Sequence, residues 1–295
     1  EGKGWKEIPS TETKTPAKGS RKLARIELPG FYGGQGRSAR TSYKDMAAAV
    51  EKAVKGGAEG VILDLSQNSG GLLEEAMRIA GLFIAEGDIV VERACAAGYR
   101  LQHCLVDARR PQPVPAAVEC AGPVFAASVK VLERITGMGV HRGMLACFER
   151  RPLRTLEEVV STARRMVVLE GVNNPTNVGV IVRSAAALGV DAMLLDPTCS
   201  DPLYRRAARV AMGAVYAFPY ARTAPLPGGL EPLRAAGFVT VALTPAPDAI
   251  DIADLPNSER IALVLGAEGH GLREPTMAAA DLRARIPMHS GVDSL

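Results

Sequence analysis

The last 130 residues constrain the fold most, because they repeat one pattern: an apolar run of five or six residues, a polar or glycine-rich loop, then a helix or a further loop. The runs are residues 166–170, 191–195, 238–243, 261–265 and 282–286. They are too short for helices and largely lack a polar alternate face, as expected of strands covered on both sides. The spacing therefore predicts a mostly parallel sheet in an α/β domain. Ahead of it, shorter strand-like runs (101–106, 123–127, 143–148) alternate with helical stretches (90–98, 128–136), the rhythm of a second, small α/β domain. Further upstream a strand over 24–28, a helix over 43–56 ending at glycine and a buried strand over 60–65 make a strand–helix–strand unit. A polar turn (66–71) then leads into a second helix over 72–84, and residues 1–20, without apolar periodicity, read as a flexible arm. The expected divisions are 1–20, 21–84, 85–165 and 166–295.

Composition excludes several classes. With 47% hydrophobic and 23% charged residues, 295 residues bury a core without staples. The five cysteines, odd in number and without a Cys-x-x-Cys, fit buried thiols in a reducing compartment. The four histidines lack metal-ligand spacing, so no metal is expected. No apolar run approaches the ~18 residues of a membrane span, and no signal-like segment opens the sequence, so it reads as soluble and cytoplasmic. Charge is uneven: residues 81–165 carry +3 and residues 166–295 carry −3. Arginine pairs such as Arg150/Arg151 could neutralise phosphates, although charge alone fits a solvated face equally well.

Chemistry concentrates where strands end. In "LEGVNNPTNVGVIVRSAAALGVDAMLL" (169–195) a strand gives way to a polar loop, 173–177, that ends in Asn177, and then to a helix with Arg183 about two turns inside it. Ligands of open α/β sheets sit outside the carboxyl ends of strands, so both residues would face such a crevice. A helix cap and a surface cation explain them equally well. "IALVLGAEGHGL" (261–272) ends a strand in Gly266, Glu268, Gly269 and Gly271, and glycines let backbone approach a ligand closely. "ARIPMHSGVDSL" (284–295) is again a strand and a polar loop.

Together, in this order and with "DPLYRRAARVAMGAV" between the first two, these stretches resemble the three motifs of the SpoU (TrmH-like) branch of the SPOUT RNA methyltransferases. The resemblance covers about 82–295, and the stretches 81–107 and 135–143 resemble that family's RNA-capture domain. It implies a trefoil-knot sheet domain binding S-adenosyl-L-methionine and methylating a ribose 2′-hydroxyl in tRNA or rRNA, as a homodimer. By motif position Asn177, Arg183, Glu268 and Ser294 would be catalytic. Leu265, Gly266, Gly269, Ile286 and Leu295 would hold the cofactor, and His141, Arg142, Arg150 and Arg151 would touch RNA. Arginine keeps its proton, so Arg183 is expected to act as a cation that lowers the hydroxyl's pKa and grips a phosphate. The family's knot-threading, interface-forming C-terminal helix follows its third motif, so the domain is expected to be incomplete at Leu295.

Residues 21–84, with "ARIELPGFYGG" and "GVILDLSQNSGG", resemble the core of tail-specific, carboxy-terminal processing serine proteases. Ser66, Ser69 and Lys55 lie outside that family's Ser/Lys dyad motif, so a non-catalytic fragment is implied, with Asn68, Gly70 and Gly71 as turn residues. The join falls in "GLFIAEG" (81–87), a string acceptable to both families. Two alternatives follow: a chimeric or truncated product that binds RNA without catalysis, and a protease remnant.

Overall fold

In the computed structural model, residues 23–33, 40–65, 68, 71, 73–136 and 143–287 are described. The expected arm, His141, Arg142, Ser294 and Leu295 lie outside them. The chain divides into two compact units, Glu1–Phe83 and Ile84–Leu295.

In the first unit β1 (Leu23–Glu27), α1 (Ser42–Lys55), β2 (Gly60–Asp64) and α2 (Leu73–Ile79) follow in order, and β1 and β2 pair in parallel. The start of α1 is set by Thr41, whose side chain accepts the Lys44 N–H, and its last turn carries Lys52 and Lys55 where cations suit the helix dipole. Ala24, Ile26 and Leu28 alternate inward and are 1% exposed. Strand β2 differs from expectation: it is half exposed, with Val61 at 41% and Ile62 at 51%, because a two-stranded sheet lacks the second covering layer of a buried parallel strand. Helix α2 also ends early. Ala80 and Gly81 (φ 70°) break it, and the remaining apolar residues become a strand whose alternate members, Phe83 and Ala85, are buried. Gly71 meets the turn requirement: a Cβ there would fall 2.1 Å from the Phe31 carbonyl oxygen, at φ 136°. Lys55 pairs with Glu51 at 2.6 Å.

Two further sheets follow along the chain, the first beginning at the boundary between the units. The first has four strands in the order β3-β6-β4-β5: β3 (Leu82–Glu86), followed in the chain by α3 (Asp88–Ala96), β4 (Leu101–Asp107), α4 (Ala116–Glu119), β5 (Val124–Ala127), α5 (Val129–Thr136) and β6 (Met144–Glu149). β4 runs parallel to β5 and antiparallel to β6. The second sheet follows α6 (Leu156–Thr162), whose Thr155/Glu158 capping box satisfies two otherwise unpaired N–H groups. Its elements are β7 (Arg165–Leu169), α7 (Pro175–Ala187), β8 (Ala192–Leu195), α8 (Arg205–Val210), β9 (Tyr220–Arg222), α9 (Glu231–Ala235), β10 (Val239–Leu243), β11 (Ile250–Asp251), β12 (Ile261–Leu265), α10 (Glu274–Ala279) and β13 (Leu282–Arg285). The seven strands lie in the order β11-β13-β10-β12-β7-β8-β9, every neighbouring pair parallel.

Met166, Val168, Leu194 and Val264 pack with Leu233 and Phe238 on one face of this sheet. Their neighbours Val167 and Leu169 point to the other, so β7 is buried on both sides, as its unbroken apolar sequence requires. The short edge strands β9 and β11 add to the five expected runs. The two sheets form one compact unit. Arg150, just after β6, pairs with Asp201 at 2.7 Å, and Arg205 and Arg209 of α8 both reach Glu86 of β3. Arg150–Asp201 is largely shielded from water, where either charge left unpaired would be costly, while Arg209 is 62% exposed and adds less. Among the described residues no helix is long and apolar enough to cross a membrane.

Candidate functional site

All strands of the seven-stranded sheet point the same way, so the loops after β7, β8, β10, β12 and β13 gather along one edge. Register fixes their relative height: Val264 sits beside Ala242 and Val168, and Ala242 beside Arg283. The loop beginning at Gly266 and the residue Ile286 thus leave the sheet at nearly the same level, two strand spacings or about 10 Å apart.

The loop after β7 is built to present Asn177. Asn174 caps α7, its side chain accepting the Thr176 N–H at 2.9 Å, and Pro175 takes the first turn, where no N–H is needed. Asn177 is therefore released from capping, and its side-chain N–H donates to the Glu268 carboxylate at 2.8 Å. This bond joins residues 91 apart in sequence and brings the first and second motifs together.

Glu268 gets there through a tight loop. Gly271 N–H returns to the Ala267 carbonyl at 2.9 Å, folding 266–271 back on itself. Gly266 is obligatory on contact grounds: a Cβ would lie 2.1 Å from the carbonyl carbon of Gly271 and 2.2 Å from the Leu272 nitrogen. Gly269 (φ 89°) has nothing within 4 Å of such a Cβ, so it is kept by backbone conformation and leaves open space above the strand end.

Glu170 was not singled out from sequence. It lies at the root of the first motif, is 1% exposed, and its N–H donates to Leu265 at 2.9 Å, extending the β7–β12 ladder. Its carboxylate spans the glycine loop to its far end, accepting the Arg273 N–H and the Thr276 hydroxyl at 2.8 Å each and pairing with the Arg273 guanidinium. The only sequence signal was an acidic residue at the end of an apolar strand. The loop after β8 is braced to the loop after β7 in a similar way. Ser200 N–H donates to the Val172 carbonyl at 2.9 Å, and Arg222 donates to the Asp196 and Cys199 carbonyls at 2.9 Å each. Burial, reinforced by the Asp196 charge, pushes the Cys199 thiol up to about 12, so it stays protonated and donates to the Leu169 carbonyl. Cys120, in contrast, is exposed.

Arg183 lies on an exposed stretch of α7 with no partner among the described residues. Six residues beyond Asn177, it stands about 9 Å further along the axis and about 120° round it, so the two side chains do not meet. The first two motifs converge at Asn177 and Glu268, and Ile286 (40% exposed) brings the start of the third to the same edge. Of the arginines expected to meet RNA, Arg150 is committed elsewhere. Its charge is answered by Asp201, with the two side chains 17% and 6% exposed, because it ties the two sheets together. Arg151 lies over the Tyr99 ring (4.5 Å) and donates to the Gly98 carbonyl. Among the described residues no group of three or more His, Cys, Asp or Glu could hold a metal ion.

The exposed backbone of the glycine loop, the open volume at Gly269 and the apolar Ile286 fit a flat, partly apolar ligand laid across strand ends, and the Glu268 carboxylate suits a cationic one.

Residues 164–295 match the SpoU rRNA Methylase family, and residues 22–169 match Peptidase family S41, a longer stretch than the strand–helix–strand unit alone. An uncharacterized tRNA/rRNA methyltransferase of Mycobacterium bovis is 42% identical over 218 residues, covering 72% of this chain and 76% of that protein. The 23S rRNA (guanosine(2553)-2′-O)-methyltransferase RlmP of Bacillus subtilis is 27% identical over 72% of this chain and 82% of its own. Among solved structures, the AdoMet-bound rRNA methyltransferase from Sinorhizobium meliloti superposes with a TM-score of 0.62 at 29% identity, covering 73% of this chain and 82% of that one.

Proposed function

The chain belongs to the SpoU rRNA methylase family, with a peptidase family S41 region over residues 22–169, and from that premise we propose that it methylates a ribose 2′-hydroxyl of tRNA or rRNA using S-adenosylmethionine. The observation that carries this reading is the 2.8 Å bond between Asn177 and Glu268, which assembles two distant motifs at the carboxyl edge of the parallel sheet. Bound there, S-adenosylmethionine supplies an electrophilic methyl group on a sulfonium.

The protein's own residues have three tasks. The backbone at Leu265, Gly266 and Gly269, together with Ile286 and Leu295, holds the cofactor against the strand ends. Asn177 and Glu268, which fix each other, orient polar groups at the reacting centre, and by motif position Ser294 would serve the same step. Arg183 stays charged and would grip a neighbouring phosphate and favour negative charge on the ribose oxygen. The hydroxyl proton leaves to solvent. The exposed face of α7 around Arg183 suits a site completed by a second copy of the chain. Residues 85–165, with His141 and Arg142 and with Arg151 at their margin, act in RNA capture, while Arg150 supports the fold through Asp201. Residues 21–84 carry no peptidase chemistry.

The test is incubation of the chain with tritiated S-adenosylmethionine and total RNA, followed by mass mapping. Label at a 2′-oxygen, lost in Arg183→Ala and not restored by Arg183→Lys, is the expected result. Label elsewhere overturns the reading, as does absence of both label and heat of cofactor binding in calorimetry.

A further inference from the structure

We infer that Glu170 is a positioning residue that holds the Gly266–Leu272 loop closed and thereby keeps Glu268 on Asn177; this rests on the methyltransferase reading of the site. Glu170 anchors the loop at both of its ends. Its N–H fixes the upstream end at Leu265 (2.9 Å), and its carboxylate fixes the downstream end through the Arg273 N–H and the Thr276 hydroxyl at 2.8 Å each and through the Arg273 guanidinium. Between the anchors the only bond within the loop among those described is Gly271 N–H to Ala267, at 2.9 Å. Glycines at 266, 269 and 271 leave such a segment many open conformations, so closure costs conformational entropy that a buried charged clamp offsets. The carboxylate is 1% exposed and 103 residues from Arg273, so it spans the site from the β7 side to the β12 side. Arg273 in turn donates to the Leu226 carbonyl, passing the restraint to the neighbouring loop. Glu170 is enclosed and bonds only protein groups, so it acts through Glu268.

Two readouts test this. In the ligand-free chain, Glu170→Gln preserves shape while removing the charge, and amide hydrogen exchange at Gly271 and Arg273 is expected to rise about ten-fold, equivalent to ~1.4 kcal/mol, with β7 and β8 unchanged. Thr276→Val, which removes one donor and keeps the ion pair, is expected to give a smaller rise and covers the case in which Glu170→Gln does not fold. In methyl transfer, Glu170→Gln is expected to lower kcat with the KM for RNA unchanged. At saturating S-adenosylmethionine, the double variant with Glu268→Gln should be no slower than Glu268→Gln alone, a non-additivity that a general loss of stability would not produce. Unchanged exchange in the loop, or additive losses in the double variant, overturns the inference. A wild-type chain that neither binds S-adenosylmethionine nor methylates RNA would instead defeat the methyltransferase reading, and loop exchange would still decide the clamp.

Discussion

Two glycines of one loop are kept for different physical reasons, and substituting each by alanine separates them. At Gly266 the added Cβ would lie 2.1, 2.2 and 2.5 Å from three backbone atoms of Gly271 and Leu272, where ordinary contact begins near 3.4 Å. Backbone cannot rotate away as a side chain can, so the loop must part by more than about 1 Å. Overpacking of this kind costs ~1–3 kcal/mol, and loss of the Gly271–Ala267 bond adds ~1 kcal/mol, a total of ~2–4 kcal/mol. In a unit of this size, melting should fall by roughly 4–16 °C. At Gly269 the added Cβ meets nothing within 4 Å, and the cost is only that of a left-handed residue, ~1–2 kcal/mol. Thermal unfolding and calorimetry with S-adenosylmethionine, run on both variants, should show Gly269→Ala mildly destabilised and still binding. Gly266→Ala should be more strongly destabilised, with affinity lowered at least about ten-fold even at temperatures where it is folded. A Gly266→Ala protein that binds with wild-type affinity would refute the claim that the folded-back loop forms the cofactor's floor.

Other expectations follow from the same structure. Arg150→Met removes the guanidinium that lies 2.7 Å from Asp201, 6% exposed, and should cost about 3 kcal/mol, read as a melting temperature lowered by several degrees; a variant melting like wild type would count against a structural role for that pair. The Asp191 carboxylate, accepting the N–H groups of Arg164 and Arg165 at 2.8 Å each, is held below the usual value chiefly by those bonds. Its stabilisation is complete above the unfolded-state pKa and fades as pH falls through the lower folded-state value, so Asp191→Asn should flatten the loss of stability below about pH 4. Urea melts across pH 2–6 read this, and identical slopes would reject it. Gly179→Ala gains helix propensity, worth ~1 kcal/mol, but drives a Cβ to 2.5 Å from the Ala207 carbonyl oxygen, so urea unfolding should show it less stable than wild type.

What the sequence disclosed and what it hid divide by range. The runs at 166–170, 191–195 and 261–265 were legible because inner strands of a parallel sheet are almost wholly apolar, whereas the start of α7 was read too late: residues 173–177 looked like loop, yet Asn174 caps the helix and Pro175 begins it. Glycines crowded around Glu268 signalled close backbone approach. The helix expected over 72–84 misread its final residues, where alternation in Leu82–Glu86 was hidden behind a helical run broken only at Gly81. The three-residue β9 and two-residue β11 offer no period long enough to detect. The pairings Glu170–Arg273 and Arg150–Asp201 were illegible, because each partner looks like any surface charge until the fold buries them together.

The position of β12 bears on how the molecule is made. It is the sixth of seven strands to be synthesised and yet lies near the middle of its sheet, hydrogen-bonded to β7 on one side and β10 on the other. Until the ribosome has passed residue 265, β7 presents an open apolar edge and β10 has no partner joining it to the strands already made. At typical elongation rates that interval lasts about 5–20 s. A nascent chain in this condition is a natural client for holdase chaperones, and synonymous codon changes between residues 170 and 260 that slow translation should increase aggregation without altering one amino acid.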